Sequence, residues 1–202
     1  MATLFTMTLD TEEEVGRLLT EDRIVGRFDG RMESGPRALG NRSILYPARD
    51  PQVNLWLNHQ LGRTEFMPFA PAALASEAHR LFHNFSGCEK AAEFMTITFD
   101  CTDEMIDSYP VAVHVDRTAG PQLVSDRTNP SFHKIIGNYH RRTGIPAIIN
   151  TSFNMHEEPI ACTPDDAIRA FLLGNLDYLA IGPFLAPHPR LGEIEKQRRS
   201  RS

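Results

Sequence analysis

The chain has 202 residues, 41% hydrophobic and 23% charged, close to globular averages and long enough for one domain to bury a core without disulfides or metal. A net charge of -5 argues against general affinity for nucleic acid, which normally needs a basic surface to displace counterions. No apolar run approaches the roughly 20 residues that span a bilayer, and the N-terminus lacks a basic region followed by an apolar one, so no membrane partner and a cytoplasmic location are expected.

Thr11 and Glu14 have the capping-box spacing and precede Val15, Leu18 and Leu19, which predicts a helix over residues 12–20. A short strand, 23–28, follows. Beyond a Gly/Arg-rich stretch, residues 51–61 form a second helix. Pro68 and Pro71 in FMPFAPAAL each remove a ladder donor, which points to an edge or loop segment and away from a central strand. Residues 94–99 alternate in the strand manner, and 111–115 and 122–124 are further short strands.

Asn129 and Pro130 open a helix that carries Phe132, Ile135, Ile136 and Tyr139 on one face and ends at Gly144. Residues 145–150 read as a buried strand running into Asn150-Thr151-Ser152-Phe153-Asn154. A helix opened by Thr163-Pro164-Asp165-Asp166 and a strand over 178–181 complete the pattern. Short, irregularly spaced strands alternating with helices predict a mixed α/β sheet, not a regular doubly wound one. One domain is expected over 1–187, and 188–202, ending EKQRRSRS, is expected to be a disordered basic tail. Cys88, Cys101 and Cys162 form no CxxC, so neither a disulfide framework nor a cysteine zinc site is expected.

Three segments carry candidate chemistry. The first is GRMESGPRALGNRS, Gly30 to Ser43, set between a strand and a helix. Its glycines let backbone approach a ligand, and Arg31, Arg37 and Arg42 offer planar, permanently charged forks suited to phosphate. It matches neither the Walker A loop nor the dinucleotide fingerprint. The alternative is a solvated loop with one Arg–Glu pair through Glu33. The second is Asn150 to Asn154 at the end of a buried strand, where open α/β sheets tend to bind ligands; the alternative is an ordinary Asx/Ser turn. The third is Val113-His114-Val115-Asp116, where His114 can bond a phosphate or transfer a proton, although a His in a strand is more often structural. Ser152 as a hydrolase nucleophile lacks a GxSxG elbow. The remaining histidines form no recognised metal spacing, so no protein-built metal site is expected.

Together, GRMESGPRALGNRSIL, the PFAP ending at Pro71, HVD at His114 to Asp116, RTGIPAIINTSFN and EEPIACTPDDAI resemble the C-terminal domain of the nodulation-protein and antibiotic-biosynthesis carbamoyltransferases, in order, from about Asp22 to Leu185. The resemblance implies a YrdC-like twisted mixed sheet flanked by helices. It implies binding of carbamoyl phosphate and of ATP with Mg²⁺, and formation of carbamoyl-adenylate. A separate actin/hexokinase-like partner domain then passes the carbamoyl group to a hydroxyl acceptor. By position, Arg37, His114 and Ser152 take the catalytic roles, with Arg31, Arg42, Arg63, Arg117, Asn150, Thr151 and Asn154 holding substrate or nucleotide. The chain departs from this pattern at Gly62, Met67 and Gly120, where basic residues are usual; Arg63 and Arg117 are the nearby cations that could compensate. The alternative is a nucleotide- or anion-binding, or subunit-interaction, module without catalysis.

Overall fold

The computed structural model describes residues 6–49, 51–62 and 69–199, with backbone only for 51–54. An eight-stranded mixed sheet organises them. In chain order its strands are β1 (Thr6–Met7), β2 (Val25–Phe28), β3 (Arg42–Pro47), β4 (Ala70–Leu74), β7 (Gln122–Val124), β8 (Ala147–Ser152), β9 (Tyr178–Ile181) and β10 (Phe184–Pro187). They lie in the order β1-β10-β9-β2-β3-β8-β4-β7, and β5 (Phe99–Asp100) and β6 (Thr118–Ala119) form a separate two-stranded ribbon. The β2/β9 and β4/β7 pairs are parallel and the others antiparallel.

Side chains alternate across the pleat and so feed two cores. Ile44, Tyr46 and Ile149 pack on one face with α2 (Pro51–Gln60) and α7 (Pro164–Leu173). Leu45, Ile148 and Val25 pack on the other with α1 (Thr11–Thr20) and α6 (Pro130–Thr143). Phe132 on α6 and Phe171 on α7 are sealed in opposite cores, each such side chain contributing about 1.5–3 kcal/mol.

The helix ends follow local chemistry. The Asn129 side chain accepts from Phe132 N at 3.0 Å, Pro130 begins α6, and Gly144 ends it at φ 76°. Thr163 and Asp166 form a reciprocal capping box on α7, and the Thr163 backbone N–H, with the Thr163 hydroxyl and Cys162 N–H, holds the Asp166 carboxyl below its ordinary range. Helix α1 starts one residue earlier than its Thr11 signal suggests, because Asp10 is the cap, accepting from Glu13 N at 2.9 Å.

Five expectations are corrected. The Arg-rich segment leads into a strand, β3, whose six residues are all buried, so it is the long loop of an antiparallel β2–β3 hairpin. FMPFAPAAL contributes β4, an interior strand between β8 and β7; Pro71 is tolerated because the parallel pairing with β7 starts only at Ala72. Within 94–99 only Phe99 is strand, since its partner β6 is two residues long. Residues 111–115 are a 3₁₀ turn at Pro110–Ala112 followed by loop, with Val115 fully exposed. The expected tail folds as α8 (Leu191–Arg199), seated by buried Ile194, by an Arg198 ion pair to the wholly buried Asp177, and by Arg198 stacking on Trp56 at 4.9 Å. Leu191 and Ile194 are its only apolar residues, too few to show a period. The short helices α3 (Ala78–Leu81) and α4 (Glu89–Ala92) lie between β4 and the ribbon, and α5 (Asp103–Ser108) lies between the ribbon's two strands; α3 and α5 add Leu81 and Met105 to the first core. No described helix is long and apolar enough to cross a membrane.

Candidate functional site

The β2–β3 hairpin loop, residues 29–41, is built by side chains acting on backbone. Glu33 accepts from Asn41 N at 3.0 Å and Arg42 N at 3.2 Å, so its carboxylate closes the loop onto itself; among the described residues it forms no Arg–Glu pair. Arg27, 3% exposed, donates to Asn41 Oδ1 at 3.0 Å, Asp29 at 2.6 Å, Ser131 Oγ at 2.7 Å and to the Gly40 carbonyl. Burial lowers its pKa from the ordinary value, a cost offset by that full set of acceptors. Gly40 sits at φ +117°, and a Cβ there would meet the Phe132 ring at 2.4 Å, so only glycine fits.

Donors from two other strands hold the next carbonyls. Asn150 Nδ2 donates to Ala38 O at 3.0 Å and to Gln122 Oε1 at 2.8 Å, while Gln122 Nε2 donates to Leu39 O at 2.8 Å. The segment that follows Arg37 is therefore fixed, and Arg37 itself stands out exposed.

A cavity of about 290 Å³ opens beside this segment. Pro36, Arg37 and Ala38 form one wall. Asn150, Thr151 and Ser152, the last residues of β8, form the second, where β8 pairs with the start of β3 and of β4. Phe69 and Ala70 lead in from β4, Met95 adds an apolar edge, and Asn154, His156 and Glu157 come from the β8–α7 loop. That loop is tightly held. Phe153 is sealed against Gly26, Asn154 Nδ2 donates to Met155 O and Glu158 O at 2.9 and 2.8 Å, and Glu158 makes a two-pronged ion pair with Arg169.

Of the residues singled out in the sequence, Arg37, Asn150, Thr151, Ser152 and Asn154 meet at this cavity. The others do not. Arg42, 3% exposed, turns its guanidinium onto the carbonyls of Asp29 and Gly30 and lies 3.7 Å over the Phe28 ring, so it anchors the loop base. Arg31 is exposed and not among the cavity's lining residues. His114 sits on a tight turn, Nδ1 bonded to Thr118 Oγ1 at 3.0 Å, and the exposed Arg117 pairs with Asp103 at 3.0 Å; neither lines the cavity. Arg63 and Met67 lie outside the described residues. A side chain at Gly62 would begin 3.8 Å from the Cβ of His156, on the cavity wall, whereas one at Gly120 would meet Thr98. Arg117 therefore does not supply charge to this cavity. Among the described residues no three His, Cys, Asp or Glu are grouped to hold a metal ion.

His156, Glu157, Phe69, Ala70 and Met95 were not singled out. The signal for the first two was their place in the loop that leaves Asn154; Met95 comes from a distant turn, with no local sign.

A mixed sheet covered on both faces by helices, with a cavity at one end lined by an arginine that has no partner among the described residues, defines a YrdC-like fold. Residues 16–188 match the family described as carbamoyltransferase C-terminus, and the chain belongs to that family. It is 39% identical to nodulation protein NolO of Bradyrhizobium diazoefficiens over 163 residues, 80% of this chain and 30% of that protein. It is 38% identical to protein MJ1058 of Methanocaldococcus jannaschii over 174 residues, 86% of this chain and 28% of that one. The chain thus spans about a third of the length of such relatives. In fold it is similar to full-length HypF solved in its phosphate- and nucleotide-bound form, with TM-score 0.60 and 18% identity over 88% of this chain and 22% of that chain. It is likewise similar to P. abyssi Sua5, with TM-score 0.57 and 11% identity over 90% of this chain and 47% of that one.

Proposed function

We propose that this chain is the part of an O-carbamoyltransferase that binds carbamoyl phosphate and ATP and makes carbamoyl-adenylate, in the cytoplasm, for transfer to a hydroxyl acceptor by an actin/hexokinase-like domain. The observation that carries this reading is Arg37, exposed and unpaired among the described residues, at a cavity also lined by the Asn150–Ser152 end of β8. A permanent cation facing amides and hydroxyls suits a phosphoryl ligand with further polar atoms.

In this reading AMP replaces phosphate on the carbamoyl carbon. The balance consumes carbamoyl phosphate, ATP and one water, and releases phosphate and pyrophosphate. The protein's share is positioning and charge stabilisation. Arg37 offsets phosphate charge. Ser152 Oγ, which no described residue engages, donates to a phosphoryl or carbamoyl oxygen, and Thr151 and Asn154 line the same wall. Asn150 acts from behind, holding Ala38 and hence Arg37 in place. Mg²⁺ arrives with ATP as substrate.

Calorimetry of the chain with MgATP and with carbamoyl phosphate tests the reading: each should bind, and together they should release pyrophosphate. Failure to bind either ligand rules it out. With Arg117 paired to Asp103, Arg37 is the one arginine among the described residues that lines the cavity, which favours one other reading, a nucleotide- or anion-binding module without turnover. ATP binding with no pyrophosphate release dependent on carbamoyl phosphate would select it.

A further inference from the structure

We infer that His156 is the second arm of an anion clamp, closing on a phosphoryl group in the cavity that Arg37 also lines. The inference rests on the carbamoyl phosphate and ATP reading for its ligand but not for its geometry. His156 is exposed, lines the same cavity as Arg37, and has no side-chain partner among the described residues. An imidazole with a structural task would be bonded, as His188 is, taking Arg190 N at 3.0 Å while stacking edge-on against Phe171.

The backbone under His156 is fixed from two sides. His156 N donates to Leu61 O at 2.9 Å, which ties it to the end of α2. The Asn154 amide spans Met155 O and Glu158 O on either side of it. A Cβ built on Gly62, at φ +73°, would lie 3.8 Å from the His156 Cβ, so the turn after α2 passes close by His156 and presents no side chain to it at that position. A donor held in this way loses little entropy on meeting a ligand, the usual source of affinity in small sites.

One carboxylate, Glu157, shares the wall, held in the left-handed region at φ +61°. It accepts hydrogen bonds only. A ligand that pairs its anion with an N–H group therefore meets complementary atoms at each point: phosphoryl oxygens toward Arg37 and His156, and the amino group toward Glu157. A carbamoyl phosphate has that pattern, and inorganic phosphate has its anionic half.

Two measurements on the chain test the clamp. Titration of inorganic phosphate into protein labelled at histidine nitrogen should shift the His156 ring signals, and Arg37→Ala should abolish the shift; unmoved signals would overturn the clamp. His156→Gln should weaken carbamoyl phosphate by about tenfold, since a charge-assisted donor is lost, while His156→Arg should stay within about threefold of the parent. Neither exposed-site substitution should move the melting temperature. A His156→Gln affinity equal to the parent's, beside a weakened Arg37→Ala, would also overturn it. If phosphate shifts the ring but carbamoyl phosphate and ATP release no pyrophosphate, the clamp stands and the functional reading falls.

Discussion

The base and the tip of the β2–β3 loop use the same residue type for opposite ends. At the base, Arg27 and Arg42 are each 3% exposed, and their terminal guanidinium nitrogens donate to loop carbonyls, to Asp29, to Asn41 and to Ser131, while the buried Arg42 Nε has no partner among the described residues. At the tip, Arg37 has no described partner and faces a cavity. A guanidinium whose donors are filled by the chain's own backbone is scaffold. One left open is available to a ligand. The base is rigid so that the tip can be exposed and still well placed, because the carbonyls of Ala38, Leu39 and Gly40 are each held by a side chain from a different strand.

The sharpest way to break this division is at Gly40. Gly40→Ala must both hold φ +117° and place a Cβ 2.4 Å from Phe132, so urea unfolding should show a loss of about 3 kcal/mol or more. A loss under about 1 kcal/mol would mean that the loop base yields easily and fixes nothing. Next, Arg42→Met keeps the stem but leaves the Asp29 and Gly30 carbonyls without their donor; about 2–3 kcal/mol should go, with ligand affinity falling as the tip loosens. Arg37→Ala should do the reverse. Stability should hold within about 0.5 kcal/mol, while calorimetry shows phosphoryl-ligand affinity reduced by tenfold or more, about 1.5–3 kcal/mol for a charge-assisted contact. Unchanged affinity would return Arg37 to a solvated surface role. Ser152→Ala, removing a neutral donor from the far wall, should cost about 1 kcal/mol of affinity, and the protein should fold as before.

How legible these differences are in sequence depends on how local their causes are. The caps of α6 and α7 could be read because Asn129, Gly144 and Thr163 act within a few residues of themselves. Strand β8 and the Asn150–Asn154 end were readable for a similar reason: an apolar run stops at a polar cluster. The sequence could not separate Arg37 from Arg42, because the carbonyls that engage Arg42 are brought to it by hairpin closure, and the Glu33 that looked like its counter-ion turns to backbone N–H groups. Strand β3 was hidden within a motif that reads as one ligand loop. Proline in β4 argued for an edge, but the outer neighbour β7 starts pairing one residue beyond Pro71. His114 was read in a strand that does not form, and it does not line the cavity where Arg37 and Ser152 meet. His156 went unnoticed because nothing local marks it; α2 and the Asn154 staple give it its place.

The smallest expected effect bears on the same distinction from outside the loop. Arg117 is an arginine at φ +66° on the turn after His114, and its guanidinium pairs with Asp103 while both side chains stay mostly in solvent. Exposed pairs of this kind contribute about 0–1 kcal/mol. Arg117→Ala should therefore lower stability by no more than that, and the loss should shrink further with added salt as the pair is screened. Because Arg117 does not line the cavity, phosphoryl-ligand affinity should match the parent chain's. A tenfold loss of affinity in Arg117→Ala would show that the turn swings onto the ligand, restoring a second cation to the site and making the pair with Asp103 the resting position of a mobile arm.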